Sequence, residues 1–266
     1  MVKERMSTEY FYAPPECVSE RQIVITGEEA RHIAKVLRHK KGDLLTIVDG
    51  QGGEYMCSIA AATEHTVTAS IVNKLRKSRE PIARVTLAQA VPKGQRMDFA
   101  IEKGTELGLF AVIPLITKNS VARPGENDKL LPPLQDEEGP GHKSARWQRI
   151  ATAAMKQSLR SVLPQISVPE DFKDLMQRHK EYELILLADE GQQKISVASV
   201  FKGLVKMPRT VLCLAGPEGG FTPEERDLAQ KHNARIVTLG PRRLRAETAG
   251  IVLSTLVLAQ LGELGE

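Results

Sequence analysis

Cysteine is scarce, with 3 in 266 residues: Cys17, Cys57 and Cys213. No two have metal-ligand spacing, and an odd, scattered set does not suggest a disulfide framework. The chain therefore reads as reduced and intracellular. Long apolar runs are also missing. The most apolar stretch, residues 251–261, is about half of what spans a bilayer. The first residues carry Lys3, Glu4, Arg5, Glu9, Glu16 and Glu20, so they hold no apolar signal core, and a cytoplasmic location is expected. Aromatics make up only 4%, which leaves few rings for base stacking: Tyr10, Phe11, Tyr12, Trp147 and Phe221. Core packing is the commoner use of such rings. Large charge excess is absent too. There are 37 basic and 33 acidic side chains, a net +4, which permits an anionic partner without demanding one.

Several chemical signatures are missing. A phosphate-binding P-loop needs Lys and Ser or Thr after its second glycine, but Gly220 is followed by Phe221 and Thr222. Gly216, Gly219 and Gly220 do not have dinucleotide-fingerprint spacing. There is no nucleophile elbow and no His/Cys/Asp cluster with metal spacing. A nucleotidase or metalloenzyme is therefore not indicated, and no metal is expected.

What is present is an ordinary globular mixture, 41% hydrophobic and 26% charged, with room for two domains. The first 75 or so residues read as β-rich. Alternating runs fall at 22–26, 43–49, 54–61 and 66–75, with a glycine turn at 49–53 and one helix over 28–38. That helix has Ala30, Ile33, Val36 and Leu37 on its apolar side. A small barrel with one helix is expected over 1–76. The basic, proline-ended stretch 74–81 marks the boundary.

From 77 to 266 the rhythm changes. Strands at 84–91, 110–117, 183–189, 210–215 and 235–239 alternate with helices at 96–107, 145–159, 171–180, 222–233 and 247–261. This is an α/β pattern, which predicts a parallel sheet covered on both faces. Thr222-Pro-Glu-Glu225 is a capping box with Pro at the first helical position. Residues 123–143, rich in Pro, Gly and charge, read as a surface loop. The last helix is apolar almost all round (Ile251, Val252, Leu253, Leu256, Val257, Leu258, Leu261). Burial on all sides is expected, which suggests a second subunit.

Two glycine loops directly follow apolar strands, Gly216 to Gly220 and Gly240 to Thr248. With Leu187, Ala188 and Asp189, they should converge where ligands bind an open α/β sheet, beyond the carboxyl ends of its strands. Basic residues form four groups: Arg31, Lys35, Arg38, Lys40 and Lys41; Lys74, Arg76, Lys77 and Arg79; Lys143, Arg146, Arg149, Lys156 and Arg160; and Arg242, Arg243 and Arg245. A track for a phosphate backbone is one reading, and solvated surface the other.

Residues 214–225 (LAGPEGGFTPEE) and 239–249 (LGPRRLRAETA) closely resemble the signature of the ribosomal small subunit methyltransferase E family, RsmE. Further matches are 31–38 (RHIAKVLR) with Gly42-Asp43, Lys93-Gly94, KGTELG at 103–108, IPL at 113–115, RWQRIA at 146–151, and QSLR at 157–160 with Pro164. The resemblance covers nearly the whole chain. The main departure is the long loop at 123–143.

The resemblance implies a PUA-like RNA-binding β-barrel followed by a SPOUT-type domain with a deep trefoil knot and a homodimer interface. It implies S-adenosylmethionine as cofactor and N3 of a uridine in 16S ribosomal RNA as target. The cofactor would be bound by Leu187, Ala188, Asp189, Gly216, Pro217, Glu218, Gly219, Gly220, Leu239, Gly240, Leu244, Arg245 and Thr248. Arg245 or Arg160 would stabilise the uracil anion. Glu247 is a candidate base, although the first turn of a helix favours an acid in any case. Arg31, Lys35, Arg38 and Lys40 would position RNA. The alternatives are a methyltransferase of the same fold acting on another RNA base, and a non-catalytic RNA-binding or ribosome-assembly factor.

Overall fold

The computed structural model describes residues 6–75, 79–120, 142–191 and 195–265, grouped into two compact units. One unit runs to Glu80 and takes in Thr152–Leu163; the other holds Pro81–Ala151 and Pro164–Glu266. Arg76 and Lys77 of the second basic group, and residues 123–141 of the expected loop, lie outside the described residues.

In the first unit β1 (Met6–Tyr12), β2 (Gln22–Thr26), β3 (Leu44–Val48), β4 (Glu54–Ala62) and β5 (Thr66–Lys74) form one curled sheet, ordered β1-β3-β4-β5-β2. β1 runs parallel to β3, and the other neighbours are antiparallel. Alternate residues of these strands, among them Ile23, Ile25, Leu45, Ile47, Cys57, Ile59, Val67 and Ala69, point into one core with Phe11. That is what period-2 alternation demands of a sheet wet on one face. The Asp49–Gly53 turn closes as anticipated. Gly50 and Gly52 take φ of 76° and 100°, and Asp49 Oδ1 accepts from the N–H of Gln51 and of Gly53, both at 2.8 Å.

The helix departs from its expected form. α1 (Gly27–Arg31) passes into a π-helical turn, His32–Val36. Ala30 and Ile33 are fully buried, but Val36 is 62% exposed, so it does not belong to the apolar side assigned to it. A π turn rotates less per residue than an α turn and swings Val36 off the stripe.

In the second unit β6 (Arg84–Ala90), β7 (Ala111–Ile116), β8 (Gln165–Ile166), β10 (Leu184–Ala188), β11 (Thr210–Ala215) and β12 (Arg235–Val237) are ordered β12-β10-β11-β6-β7-β8. A further two-residue strand, β9 (Glu170–Asp171), also pairs with β7. All these pairings are parallel. β6, β10 and β11 are buried almost end to end, as apolar runs covered on both faces must be. The α-helices are α2 (Arg96–Leu107), α3 (His142–Gln157, grouped with this unit as far as Ala151), α4 (Phe172–Gln177), α5 (Val197–Lys202), α6 (Pro223–Lys231) and α7 (Ala246–Gln260). α2 ends at Gly108 with φ of 100°, the left-handed stop its sequence predicts. α6 starts on the anticipated capping box, with Thr222 and Glu225 bonded reciprocally.

α7 packs on α2, β6, β11 and α5. Its Gly250 lies against Leu87 and Gln89 of β6, so close that a Cβ would stand 2.2 Å from Gln89 Oε1. Gly250, Leu253, Ser254, Val257 and Leu258 face inward, while Leu256 is 39% exposed. Within the chain α7 is thus buried on one side only. Among the described residues no helix is long and apolar enough to cross a membrane.

Candidate functional site

β10, β11 and β12 are adjacent and parallel, so their carboxyl ends emerge side by side. The loops that follow them, 188–191, 216–221 and 238–244, line one cleft of about 380 Å³. That volume suits a small-molecule ligand. The expected convergence of the three loops is therefore present.

The loops are held by bonds that local patterning did not reveal. Lys118 and Asn119 lie just beyond the carboxyl end of β7. Asn119 Nδ2 donates to the carbonyls of Gly219 (3.3 Å) and Gly220 (3.0 Å). The Lys118 N–H donates to Glu225 Oε1 at 2.8 Å, while Glu225 Oε2 accepts from the Thr222 N–H. One carboxylate thus closes the capping box and ties the end of the glycine loop to β7. Arg243 Nη2 donates to the Glu218 carbonyl at 3.1 Å, linking the two glycine loops. Arg226 reaches Asp189 at 3.5 Å and the Phe221 carbonyl at 3.2 Å.

The glycines set the shape of the floor. A Cβ on Gly216 would stand 3.0 Å from the buried Phe221 ring, and one on Gly219 would stand 3.3 Å from Asn119 Cβ. Gly240 takes φ of +113°, beyond what a residue with a Cβ adopts at ease. Behind the floor, burial pushes the Cys213 thiol up to about 12, so it is an inert part of the core.

A second cleft of about 480 Å³ adjoins the first, and Arg243 and Leu244 line both. Its remaining lining is Arg96, Phe99, Arg245, Glu247 and Thr248. Arg96 donates to Glu218 Oε1 at 2.9 Å and lies 3.9 Å from Glu247 Oε1. Glu247 is only 6% exposed, and its Oε2 has no hydrogen-bond partner among the described residues.

Of the residues expected to hold a ligand, Ala188, Asp189, Gly216 to Gly220, Leu239, Gly240 and Leu244 line the first cleft. Leu187 is fully buried in β10 and does not line it. Arg245 and Thr248 line the second cleft instead, because the chain has turned into α7 by Arg245.

Arg160 lines neither cleft. It belongs to the segment grouped with the first unit and is 3% exposed. Its Nε and Nη2 donate to Glu80 Oε2 at 3.0 and 2.6 Å, and Glu80 Oε1 accepts the N–H groups of Ser161 and Val162. Its charge is thus matched by Glu80 within that unit.

In the first unit Arg31 and Lys35 share one acid, Glu64, at 3.7 and 2.7 Å, and both are more than half exposed. The Lys35 ammonium holds the Glu64 carboxyl below the usual carboxylate range. Arg38 sits at φ +57°, and Lys40 is exposed beside it. All four cations fall in one short stretch around the π turn.

Comparison with known proteins adds to this geometry. A family model described as an RNA methyltransferase domain matches residues 78–258, and one described as an RNA methyltransferase PUA domain matches 25–72. The chain is 32% identical over 228 residues to a ribosomal RNA small subunit methyltransferase E of Bacillus subtilis, 85% of each chain being covered. It is 30% identical to a protein of the same name from Synechocystis, over 100% of this chain and 82% of the relative. A Neisseria gonorrhoeae ribosomal RNA small subunit methyltransferase E, solved with bound S-adenosylmethionine, superposes with a TM-score of 0.79 at 25% identity, covering 95% of this chain and 98% of that one. A Legionella pneumophila methyltransferase with the same bound cofactor gives 0.80 at 28% identity, over 95% and 98%.

Proposed function

The chain belongs to the RNA methyltransferase family, and from that premise we propose that it methylates N3 of a uridine in 16S ribosomal RNA with S-adenosylmethionine as donor. The observation that carries the cofactor assignment is the glycine-floored cleft. Gly216, Gly219, Gly220 and Gly240 line it without side chains, and a Cβ on Gly220 or Gly240 would meet no protein atom, so backbone amides and carbonyls can approach a bent ligand closely. The residues that would hold it are Ala188, Asp189, Gly216 to Gly220, Leu239, Gly240 and Leu244, with Leu187 behind them. Arg245 and Thr248 would close the side that opens to the second cleft.

When bound in this cleft, S-adenosylmethionine would supply an activated methyl group, carried on a positively charged sulfur, to a uracil N3 that has given up its proton. The chain has to supply alignment and to manage that proton and charge. Arg245 stands at the amino end of α7, where the helix dipole already favours negative charge. Together they would stabilise the uracil anion. Glu247 lies two residues further on, in the first turn of α7, with a carboxylate oxygen that has no partner among the described residues, and we assign it as proton acceptor. N3 lies on the pairing edge of the base, so the target is unpaired or extruded when it reacts.

The first unit, as a PUA-like barrel over about 1–76, would position RNA through Arg31, Lys35, Arg38 and Lys40, against the phosphate backbone. The second, over about 77–266, is read as a SPOUT domain. Its trefoil knot would be formed where the chain passes the glycine loop before α7 packs on β6 and β11. The outward side of α7, with Leu256, is read as a homodimer surface, and a ribosomal substrate would go with a cytoplasmic location.

Two measurements test the reading. Calorimetry with S-adenosylmethionine should give one site per subunit. Digestion and mass mapping of methylated small-subunit RNA should give N3-methyluridine. Methyl transfer to any other atom would end the uridine-N3 assignment, and no cofactor binding to free or RNA-bound protein would end the catalytic one.

A further inference from the structure

We propose that the cleft between α2 and the start of α7 seats the extruded target base, with the Phe99 ring as its stacking surface and Glu247 facing its pairing edge. The inference rests on the uridine methylation reading above and deepens it. Four observations carry it. The cleft adjoins the cofactor cleft and shares Arg243 and Leu244 with it, so a ligand in one meets a ligand in the other. Phe99 lines it and is 45% exposed, in a chain where aromatics are only 4% of residues. Arg96 and Phe99 stand three residues apart on α2 and therefore share a face. Finally, Glu247 Oε2 is buried without a hydrogen-bond partner among the described residues.

The last point decides what the cleft would take. A buried carboxylate oxygen is costly until a donor reaches it. Uracil presents an N–H at N3 between two carbonyls. Glu247 would accept from that N–H, and the guanidinium groups of Arg96 and Arg245 would meet the carbonyls or the flanking phosphates. Cytosine has a lone pair at N3 and would leave two acceptors facing each other. The cleft thus selects a uracil over a cytosine, and it does so with Glu247, the residue placed to receive the proton. Phe99 would act as a positioning residue through stacking.

The test uses the full-length protein and small ribosomal subunits that lack the modification. Phe99→Leu keeps apolar bulk and removes the ring face. It should lower kcat/KM by about 5- to 150-fold, the worth of one base–aromatic stack. Phe99→Tyr should restore it. Cofactor affinity and oligomeric state should stay at wild-type values in both. As a readout independent of turnover, subunits with 4-thiouridine at the target should cross-link under ultraviolet light to the tryptic peptide spanning 97–103. Glu247→Gln should bind subunits carrying cytidine at the target as tightly as those carrying uridine, whereas the wild type prefers uridine.

Wild-type kcat/KM in Phe99→Leu, a cross-link that maps elsewhere, or a shift to monomer in Phe99→Leu would each overturn the proposal. The monomer would assign Phe99 to a subunit contact. Failure of the parent reading looks different. The product would then be methylated at another atom, while a cross-link at 97–103 would still place the base in this cleft.

Discussion

Gly240→Ala isolates backbone conformation from crowding. The residue sits at φ +113°, and a Cβ built there meets nothing within 4 Å. The substitution therefore adds no clash, and its whole cost is the local dihedral, about 1–3 kcal/mol. That cost can be kept as lost stability or relieved by moving the loop. The loop is exposed from Gly240 to Arg243. Its described anchors are few, the Gly240 N–H to Thr238 Oγ1 at 3.2 Å, Arg243 to the Glu218 carbonyl at 3.1 Å and an exposed Arg243–Glu190 ion pair at 3.7 Å. Moving it is cheaper than straining it, so the penalty should appear in the cleft that the loop lines. The Kd for S-adenosylmethionine should rise by about 5- to 150-fold, with a fall in Tm of no more than about 2–4 °C. Gly94→Asn is the control. Its φ of +69° lies where asparagine is tolerated and it lines neither cleft, so the Kd should change far less. Calorimetry and thermal unfolding of the three proteins suffice. Wild-type Kd and Tm in Gly240→Ala would refute the reasoning, because the strain would then have nowhere to go.

Three other outcomes are expected. Arg245→Ala should lower kcat by about 10²- to 10³-fold, as loss of one donor to a developing anion does, measured at saturating cofactor; wild-type turnover at saturating substrates would remove Arg245 from the chemistry. Neutralising Arg31, Lys35, Arg38 and Lys40 one at a time should weaken RNA binding and flatten the slope of log K against log salt by about 0.7–0.9 for each lost phosphate contact, and an unchanged slope would return them to solvated surface. Burial holds the thiols of Cys57 and Cys213 up to about 12, so at pH 8 the folded chain should react with a thiol reagent at Cys17 alone. Because these pKa values are raised, the stability they contribute is complete below the unfolded thiol range and is lost as pH climbs from there toward 12.

What could be read from the sequence was what neighbouring residues enforce on one another. Apolar runs bounded by glycine gave the parallel strands, since a strand buried on both faces needs no alternation. Thr222, Pro223 and Glu225 specified the start of α6, because a capping box closes within four residues. The glycine loops after β11 and β12 announced the cleft through a rule about strand ends.

Other features were settled only in three dimensions. β1 finds its partner β3 far along the chain, and nothing in its own seven residues names that partner. Val36 left the apolar stripe because a π turn changed the rotation per residue. Arg160 shared a basic run with Arg146 and Arg149, but folding handed it to Glu80, which only proximity could select.

The second cleft was invisible for the same reason. Arg96 and Phe99 are separated from Glu247 by most of the second unit, and they meet because α2 and α7 pack together. Local propensity and short motifs determined the elements and one of the two clefts. Pairing between distant segments, driven by burial and satisfied charge, decided which side chains face each other across the other.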